Sequence, residues 1–167
     1  MNNAYLLIGG NIGDRLGYMQ KACTEITSKI GEIIKSSSIY ETAPWGNQHQ
    51  SNFLNQVLLV KTPLEPINLL QTILGIEEGM GRIRTIENEP RTIDIDILYF
   101  NEIKQNSIAL TIPHPRIFSR KFVLIPMHEI APDHIDPVHQ KSIDQLLNEC
   151  KDDLEVNKFS INVHNNG

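Results

Sequence analysis

The sequence predicts an α+β protein in which residues 1–100 adopt a ferredoxin-like arrangement. Apolar runs of strand length and segments with helical spacing of apolar residues follow one another there in the order βαββαβ. In that arrangement an antiparallel sheet has its helices packed on one face, and the residues beyond it are C-terminal additions. The most regular stretch is residues 93–97, where isoleucine and aspartate alternate as in a strand with one buried face.

Length and composition predict a single domain spanning residues 1–167. The chain has 40% hydrophobic and 21% charged residues, which is typical of a soluble globular protein. Its two cysteines are too few for a disulfide framework, and its first residues lack the pattern of a signal peptide, so we expect a cytoplasmic location. No apolar run reaches the length of a membrane span.

The distribution of charge indicates a small anionic ligand. A net charge of −5 argues against bulk binding to nucleic acid. Basic residues nevertheless cluster in two windows, namely Arg82, Arg84 and Arg91, and then Arg116, Arg120 and Lys121. Such clusters in an acidic chain favour a nucleotide or a similar polyanion. We therefore expect small-molecule partners, no nucleic acid and no membrane. A monomeric protein is a separate expectation that the charge distribution does not test.

The first strand and helix are predicted from residues 4–31. Residues 4–8 are an apolar run that stops at Gly-Gly-Asn, which predicts a buried strand. The next apolar residues have helical spacing and precede Gly31, a candidate terminator; they are Leu16, Met19, Cys23, Ile26 and Ile30. The turn at residues 9–14 matches neither the dinucleotide fingerprint nor a Walker A loop, so we interpret it as a tight strand-to-helix turn.

Two further strands are predicted on either side of a polar loop. Residues 32–40 and 53–60 have strand character, and the loop at residues 41–52 carries Trp45, the only tryptophan. An aromatic side chain in such a loop is either a local packing plug or a platform for a ligand. On the later strand, Asn55 shares a face with apolar residues and therefore needs hydrogen-bond partners.

The second helix and the fourth strand complete the predicted core. Pro66 can begin the helix and Gly79 can end it. An arginine-bearing loop at residues 80–89 then runs into the strand, residues 90–100. We expect this strand to lie in the interior of the sheet, with its acidic face open to a ligand.

The C-terminal additions carry weaker signals. Residues 108–112 are predicted to be extended, and the prolines at 113–115 favour extended backbone. The apolar residues 122–127 either add a strand or cover the core. Ser142 and Gln145 have the spacing of a capping box, which predicts a short helix.

Asp94 and Asp96 are candidate metal ligands. Residues two apart on a strand lie roughly 6.5–7 Å apart along the backbone and point to the same face. Two short carboxylates at that spacing can converge on one or two divalent cations. The alternative is a solvated strand face that carries two acids, although like charges on one face repel and favour a positive partner. Arg91 and the arginines of the preceding loop favour the metal site.

Other catalytic chemistries find less support. His134 and His139 flank Asp136, but without the spacing of a zinc site. No serine or cysteine has the context of a catalytic nucleophile. Two acids suited to a hard cation, with arginines from two segments, match phosphoryl-type transfer, in which a protein positions the reactants and neutralises their charge.

Residues 90–98 closely resemble the signature of the 6-hydroxymethyl-7,8-dihydropterin pyrophosphokinase family, enzymes of folate biosynthesis. The resemblance runs in the same order along nearly the whole chain. It covers the first strand and turn at 8–14, the first substrate loop at 40–46, the pterin-binding strand at 53–55, the opening of the catalytic loop at 81–84, and the ATP and ring-stacking segments at 111–114 and 120–122.

The resemblance implies a single pyrophosphokinase domain that transfers the pyrophosphoryl group of ATP to the hydroxymethyl group of the pterin and leaves AMP. It implies ATP as co-substrate and two Mg²⁺ ions, held by Asp94 and Asp96. Arg82 and Arg91 would neutralise charge on the phosphates during catalysis.

The same resemblance implies two sets of binding residues. The set around the pterin is Thr42, Ala43, Trp45, Phe53, Asn55 and Phe122. The set around ATP is Leu70, Glu77, Arg84, Ile97, Thr111, His114 and Arg120. Within the first set, Asn55 would read the edge of the pterin through hydrogen bonds, and Phe53 and Phe122 would sandwich its ring.

The sequence also departs from the family pattern. Glu89 stands where a glycine usually precedes Pro-Arg, and Leu74 stands where a glutamine is common. Ala109 and Pro115 occupy positions that can carry arginine and tyrosine. These differences concern loop closure and ATP contacts and leave the acidic pair intact.

Two alternatives stay open from the residues alone. The same acids and arginines suit another Mg²⁺-dependent enzyme that uses a nucleotide. A non-catalytic ferredoxin-like ligand-binding module would instead leave Asp94 and Asp96 merely exposed. Pterin-dependent formation of AMP distinguishes the pyrophosphokinase from both.

Overall fold

A computed structural model describes residues 1–43, 51–81 and 92–160 of the protein. The strands of these residues are β1 (Asn2–Gly10), β2 (Glu32–Ser36), β3 (Tyr40–Thr42), β4 (Phe53–Thr62), β5 (Asp94–Phe100), β6 (Gln105–Asn106), β7 (Thr111–Ile112), β8 (Ile135–Asp136), β9 (Lys141–Ser142) and β10 (Val156–Lys158). The helices are α1 (Arg15–Lys29), α2 (Pro66–Gly79), α3 (Lys121–Ile130) and α4 (Ile143–Glu149), with a 3₁₀ turn at Ile117–Ser119.

The main sheet is antiparallel and has the strand order β10-β3-β4-β1-β5, with β2 also paired to β4. This order confirms the predicted ferredoxin-like arrangement, with β1 and β4 at its centre. The predicted second strand is divided into β2 and β3. Between them the Ser37 hydroxyl accepts a hydrogen bond from the N–H of Val57 at 3.0 Å, while the N–H of Ser37 donates to the carbonyl oxygen of Val57 at 2.9 Å. A side chain thus takes the place of one of the two backbone hydrogen bonds there.

The fourth predicted strand, β5, lies at the edge of the sheet. Within the described ranges its pairing partner is β1, so the predicted interior position is wrong. The reason lies in the connections: β1 and β4 pair along nine residues and take the two central places, which leaves β5 the outer side of β1. Its acidic face is exposed near an edge, not in the middle of the sheet.

Strand β5 confirms the predicted alternation and then interrupts it. Ile93, Ile95 and Ile97 are at most 5% exposed, whereas the two aspartates between them are partly exposed. Tyr99 pairs with Tyr5, but Ile97 pairs with the next residue of β1, so Leu98 is a β-bulge. As a result, Leu98 and Tyr99 both reach the face that the aspartates occupy.

The sheet has a hydrophobic core on each face. The first core lies against α1 and α2 and includes Leu6, Ile8, Ile26, Leu58, Ile73 and Ile95. The second core lies against α3 and α4 and includes Leu7, Val57, Leu98, Val123, Met127 and Leu146. Successive residues of β1 alternate between the two cores, as a strand covered on both faces requires. Helices α3 and α4, which belong to the C-terminal additions, therefore form a third layer.

Local sequence signals explain where several helices begin and end. Asp14 caps α1 by accepting a hydrogen bond from the N–H of Gly17 at 3.1 Å. Ser142 and Gln145 form the predicted capping box of α4. Gly31 follows α1 as predicted. Glycine is needed there because a Cβ would overlap the carbonyl oxygen of Lys61.

Residues 122–127 belong to helix α3, which covers the second core. The sequence of these residues is compatible with either a further strand or a segment that covers the core. Their continuous apolar character suits a helix and a strand equally, so only the contacts with the sheet decide between them. Within the described ranges, no helix combines the length and hydrophobicity needed to cross a membrane.

Candidate active site

A row of residues across the sheet forms the floor of the candidate site. Gly9 on β1 pairs with Asn55 on β4 and with Asp94 on β5. Residues that pair directly in an antiparallel sheet project to the same face. Asn55 and Asp94 therefore flank a position that carries no side chain, and both project on the side of α3.

Gly9 is required by the close approach of Asn55. A Cβ at Gly9 would overlap the Asn55 Oδ1 atom and would lie 2.6 Å from the carbonyl oxygen of Leu54. The Asn55 side chain is 5% exposed, and its Nδ2 atom is 3.5 Å from the hydroxyl oxygen of Thr42. The missing side chain of Gly9 thus makes room for the Asn55 amide beside Asp94.

The next residues along the strands extend this surface. Phe53 pairs with Thr42, so Phe53 projects to the same face as Asn55, as the sequence predicts. Asp96 pairs with Leu7, two residues before Gly9, and shares the face of Asp94. An aromatic ring, an amide and two carboxylates therefore lie along one side of the sheet.

The start of α3 contributes positive charge. Arg120 is the N-cap residue of α3, and its guanidinium carbon lies 5.6 Å from the ring centre of Phe122. Burial, followed by the charge of Arg116, lowers the pKa of Arg120 below its ordinary value, while Asp96 and Asp94 act in the opposite direction. Arg120 is thus close enough to both aspartates to offset their repulsion.

Helix α3 is held in place from its other end. The Glu129 carboxylate accepts hydrogen bonds from the Tyr40 hydroxyl at 2.6 Å and from the N–H of Ser38 at 3.0 Å. Burial opposes ionisation of Glu129, but the hydrogen bonds from Tyr40 and Ser38 outweigh it and lower the pKa. This anchor joins α3 to β3, which also carries Thr42.

His114 faces the charged part of the site. Burial, and then the charge of Arg120, lower the pKa of His114, so its imidazole is neutral near pH 7. The N–H of Arg116 donates to Nδ1 of His114 at 3.3 Å. This hydrogen bond assigns the remaining proton to Nε2, which makes that atom a donor suited to a phosphate oxygen.

The acidic pair fits Mg²⁺. The described residues contain no group of three or more His, Cys, Asp or Glu side chains that could enclose a metal ion by themselves. Magnesium is commonly held by one or two carboxylates, with phosphate oxygens and water as its other ligands. Asp94 and Asp96 supply two hard oxygen donors on one face, next to groups that suit phosphate. Both also interact with other groups of the protein.

The sequence was compared with models of known protein families, and one of them matches. The model of the 7,8-dihydro-6-hydroxymethylpterin-pyrophosphokinase (HPPK) family matches residues 5–132. The chain belongs to the HPPK family. The match includes the two aspartates of β5, Asn55, Gly9 and the start of α3, so it covers every part of the surface described above.

Individual relatives agree with the HPPK assignment. The 2-amino-4-hydroxy-6-hydroxymethyldihydropteridine pyrophosphokinase of Bacillus subtilis is 44% identical over 133 residues, which cover 78% of this chain and 80% of that protein. The protein of the same name from Aquifex aeolicus is 39% identical over 146 residues, which cover 87% of this chain and 91% of the relative.

A solved structure supports the HPPK fold. The wild-type HPPK-DHPS protein of Plasmodium falciparum, solved with pterin and p-hydroxybenzoate, superimposes with a TM-score of 0.73 at 21% sequence identity. The match covers 89% of this chain and 43% of that one, so this chain spans less than half of the solved protein. At this identity the likeness concerns the fold.

Three residues predicted to bind ATP in this HPPK chain do not project from the acidic face of β5, and their contacts with ATP stay predictions. Ile97 is buried in the first core, against which Leu70 packs. Glu77 is fully buried, and its Oε2 atom accepts a hydrogen bond from the N–H of Ile95 at 2.7 Å. Thr111 lies with His114 in the wall of a cavity of about 430 Å³. The structure thus joins Thr111 to His114, but it does not bring the other side chains to the acidic face.

Four predicted site residues lie outside the described ranges: Trp45, Arg82, Arg84 and Arg91. Their predicted contacts with pterin and phosphate stay predictions. Ala43 is exposed at the last described position before the first gap, next to the buried Thr42.

Sequence reasoning missed the roles of Gly9 and Glu129. A glycine near the end of an apolar strand was a possible signal for Gly9, but its meaning depends on which residue lies across from it. Glu129 had no signal, because an acid in an amphipathic helix is ordinarily solvated.

Proposed function

We propose that this HPPK-family protein transfers the pyrophosphoryl group of ATP to 6-hydroxymethyl-7,8-dihydropterin and forms AMP and the pterin diphosphate, a step of folate biosynthesis. The observation that carries the proposal is the pair of aspartates on β5, which shares one face with Asn55. The name of the Bacillus subtilis relative agrees with this activity.

The pterin would lie over the Gly9 row. The amide of Asn55 offers both a donor and an acceptor to the edge of the heterocycle, and Thr42 and Ala43 offer backbone groups beside it. Phe53 and Phe122 would stack on the two faces of the ring. Trp45 would line the same pocket. In the proposed orientation the hydroxymethyl group would lie toward the aspartates.

The triphosphate would lie between β5 and the start of α3. Arg120 and the Nε2–H of His114 would bind phosphate oxygens, and the N-terminal end of α3 adds a favourable dipole. Further residues of the predicted ATP and catalytic sets are Arg82, Arg84, Arg91, Leu70, Ile97 and Thr111.

Asp94 and Asp96 would hold two Mg²⁺ ions at this place. Bound Mg²⁺ neutralises phosphate charge and lowers the pKa of a hydroxyl group that coordinates it. In the reaction the hydroxymethyl oxygen attacks the β-phosphorus, and the bond between that phosphorus and the oxygen bridging to the α-phosphate breaks. The hydroxyl proton is lost, and AMP departs with the bridging oxygen. The protein positions the reactants and stabilises charge, without covalent catalysis.

Product analysis tests the proposal. The purified protein with ATP, Mg²⁺ and the pterin is expected to form AMP and the pterin diphosphate in equal amounts, and ³¹P NMR should detect both transferred phosphates on the pterin. Formation of ADP, or turnover that does not depend on the pterin, would contradict the proposal. Heat-inactivated protein serves as the control for spontaneous hydrolysis of ATP.

We propose that the protein acts as a monomer in the cytoplasm. Light scattering after size-exclusion chromatography is then expected to give a mass near 19.0 kDa, both with and without ligands. A mass near twice that value in dilute solution would contradict the monomer.

A further inference from the structure

Glu77 is a buried carboxyl group on α2. It contacts β5, the strand that carries Asp94 and Asp96. Its side chain lies on α2, is 0% exposed, and reaches the backbone of β5. The N–H of Ile95 donates to Glu77 Oε2 at 2.7 Å. Ile95 is the residue between Asp94 and Asp96, so the hydrogen bond holds the backbone at the midpoint of the acidic pair.

An edge strand needs such an acceptor. Alternate N–H groups of a strand point away from its neighbour, and an N–H left without a partner in the protein interior is unfavourable. Water would satisfy that N–H at an exposed edge. Here α2 covers the edge at Ile95, and a carboxyl oxygen takes the place of water.

Stability alone does not explain a carboxyl group at this position. Burying such a group costs free energy that hydrogen bonds offset only in part, and apolar replacements of buried polar groups are often neutral or stabilising. A fixed backbone between two metal ligands is a specific benefit. Magnesium requires ligands near 2.0–2.1 Å in nearly ideal geometry, so small displacements of a ligand weaken its binding.

We propose that Glu77 is a positioning residue for the Mg²⁺–ATP site: its carboxyl oxygen holds Ile95 and thereby fixes the orientation of Asp94 and Asp96. The proposal rests on the proposed function, because it needs Mg²⁺–ATP at the two aspartates. It gives Glu77 a role different from direct contact with the nucleotide. The two roles make different predictions for binding with and without the metal.

Two substitutions separate the hydrogen bond from simple packing. Glu77→Leu has similar bulk and removes the acceptor, whereas Glu77→Gln keeps an acceptor oxygen. Glu78→Leu is the matched control, since Glu78 is the exposed neighbour of Glu77 on α2. The melting temperature of each variant is measured first, and binding is compared at a temperature at which all of them are folded.

The first measurement needs no ligand. Amide hydrogen exchange of Ile95, followed by NMR, reports the hydrogen bond directly. Exchange at Ile95 is expected to be faster in Glu77→Leu than in the parent protein, and close to the parent rate in Glu77→Gln and Glu78→Leu. Parent-like exchange in Glu77→Leu would overturn the assigned role of the hydrogen bond.

The second measurement is calorimetric binding of α,β-methylene-ATP, in which the bond broken in the proposed reaction is replaced. Each protein is titrated with and without Mg²⁺, and the ratio of the two affinities gives the contribution of the metal. This ratio is expected to fall by about tenfold or more in Glu77→Leu, a loss typical of residues that orient metal ligands. Glu77→Gln is expected to restore most of the ratio.

The outcomes distinguish the possible roles of Glu77. Equal weakening with and without Mg²⁺ would show direct contact with the nucleotide and overturn the proposal. An unchanged ratio in Glu77→Leu, or an equal loss in Glu77→Gln, would also overturn it. If Mg²⁺ does not change the affinity of the parent protein for the nucleotide, the proposed Mg²⁺ site at Asp94 and Asp96, and with it the proposed function, is contradicted. If Mg²⁺ strengthens binding equally in the parent protein and in Glu77→Leu, the inference about Glu77 fails while the proposed function stands.

Discussion

At the scale of single residues, Asp94 and Asp96 occupy positions that strands ordinarily avoid. Two carboxylates on one face of a strand repel each other, and aspartate is disfavoured in strands. Arg120 offsets part of this repulsion, as its interactions with both residues indicate. Residues retained against local preference are expected where function requires them.

Substitution of either aspartate is expected to separate activity from stability. Asp94→Asn and Asp96→Asn should each lower turnover by at least about a hundredfold, because each removes a metal ligand worth several kcal/mol of transition-state stabilisation. The melting temperature should stay unchanged or rise, since repulsion is relieved. Assays of AMP formation and thermal unfolding check both effects, with the exposed Asp133→Asn as control. A large drop in melting temperature would instead assign these residues a structural role.

Gly9→Ala is expected to impair use of the pterin selectively. The added methyl group would displace the Asn55 amide and would also press on the carbonyl oxygen of Leu54, so the melting temperature is expected to fall as well. A displacement of about 1 Å in a binding group can cost about a hundredfold in rate. We therefore expect a large fall in kcat/KM for the pterin, with the affinity for Mg²⁺–α,β-methylene-ATP little changed. Steady-state kinetics and calorimetry measure these two quantities.

Gly75→Ala is the matched control for Gly9→Ala. Gly75 lies in α2 with nothing within 4 Å of an added Cβ, and alanine is favoured over glycine inside a helix by about 0.5–1 kcal/mol. Its kinetics should equal those of the parent. Parent-like use of the pterin by Gly9→Ala would contradict the role assigned to this glycine.

The residue scale shows which parts of the site a sequence can reveal. The alternation of isoleucine and aspartate is a local pattern, and the burial along β5 confirms it. Asn55 was recognisable as a polar residue on an apolar strand face. The role of Gly9 was not, because the residue that lies over it belongs to another strand and depends on the pairing register.

At the scale of elements, the position of α3 determines where Arg120 and Phe122 lie. The start of the helix faces the aspartates, while Glu129 near its other end is bound by Tyr40 and Ser38. Helix α3 is only ten residues long and contains Pro126, and we expect a shift at Glu129 to change the position of its first turn.

Loss of the Tyr40 to Glu129 hydrogen bond is expected to weaken both stability and phosphate binding. Tyr40→Phe should lower the free energy of unfolding by about 1.5–3 kcal/mol, the range for a hydrogen bond to a charged group. Because α3 is then less firmly held, the affinity for Mg²⁺–α,β-methylene-ATP should fall modestly. Urea unfolding and calorimetry measure the two effects.

Tyr18→Phe is a suitable control for Tyr40→Phe, since Tyr18 belongs to α1 and packs against the core on the opposite face of the sheet. A double-mutant cycle with Glu129→Gln isolates the energy of the pair. Additive effects of the two substitutions would contradict a direct coupling between Tyr40 and Glu129.

The type and order of the elements were predicted better than the contacts between them. The order βαββαβ follows from local periodicity, and the sheet confirms it. The interior position of β5 was wrong and the nature of residues 122–127 was undecided, because both depend on contacts with distant parts of the chain. A uniformly apolar run fits a strand and a buried helix equally well.

At the scale of the whole molecule, Asp136 joins the C-terminal layer to the sheet. It is 2% exposed and accepts hydrogen bonds from the Tyr99 hydroxyl at 2.6 Å and from the N–H of Val138 and His139 at 2.8 and 2.9 Å. Burial opposes ionisation of Asp136, but the hydrogen bonds from Tyr99 and His139 outweigh it and lower the pKa. Tyr99 belongs to β5, so this contact links the additions to the strand of the site.

The lowered pKa of Asp136 predicts the sign of a pH effect. A carboxyl group whose pKa is lower in the folded than in the unfolded protein stabilises the fold above its unfolded value of 3.8, and this contribution is lost as the pH falls through the folded value. Asp136→Asn should therefore reduce stability at neutral pH by about 1–3 kcal/mol. It should also make stability fall less steeply as the pH is lowered from about 5 through the pKa that Asp136 has in the folded parent protein.

Urea unfolding over that pH range, with Asp133→Asn as the exposed control, tests this effect. An equally steep fall in Asp136→Asn and the parent protein would show that other acids govern the loss of stability. Unfolding in one cooperative transition would in addition support the prediction that residues 1–167 form a single domain.

The third layer was the least predictable part of the molecule. Its strand pair, β8 with β9, is two residues long, and its helices are short. Elements of that length carry little periodicity, and their positions follow from packing against the sheet. The signals that succeeded there were chemical ones, such as the capping box at Ser142.

The bulge at Leu98 also sets limits on how this protein can evolve. It absorbs one extra residue, and only with that residue in place do the isoleucines before it face inward while Tyr99 reaches Asp136. Adding or deleting one residue between Asp94 and Ile97 would exchange the two faces of the strand. Acidic side chains would then face the first core, and isoleucine side chains would occupy the partly exposed acidic face. Lineages of this sequence are therefore expected to vary in the lengths of their loops, while this strand accepts exchanges of side chains but no change of length.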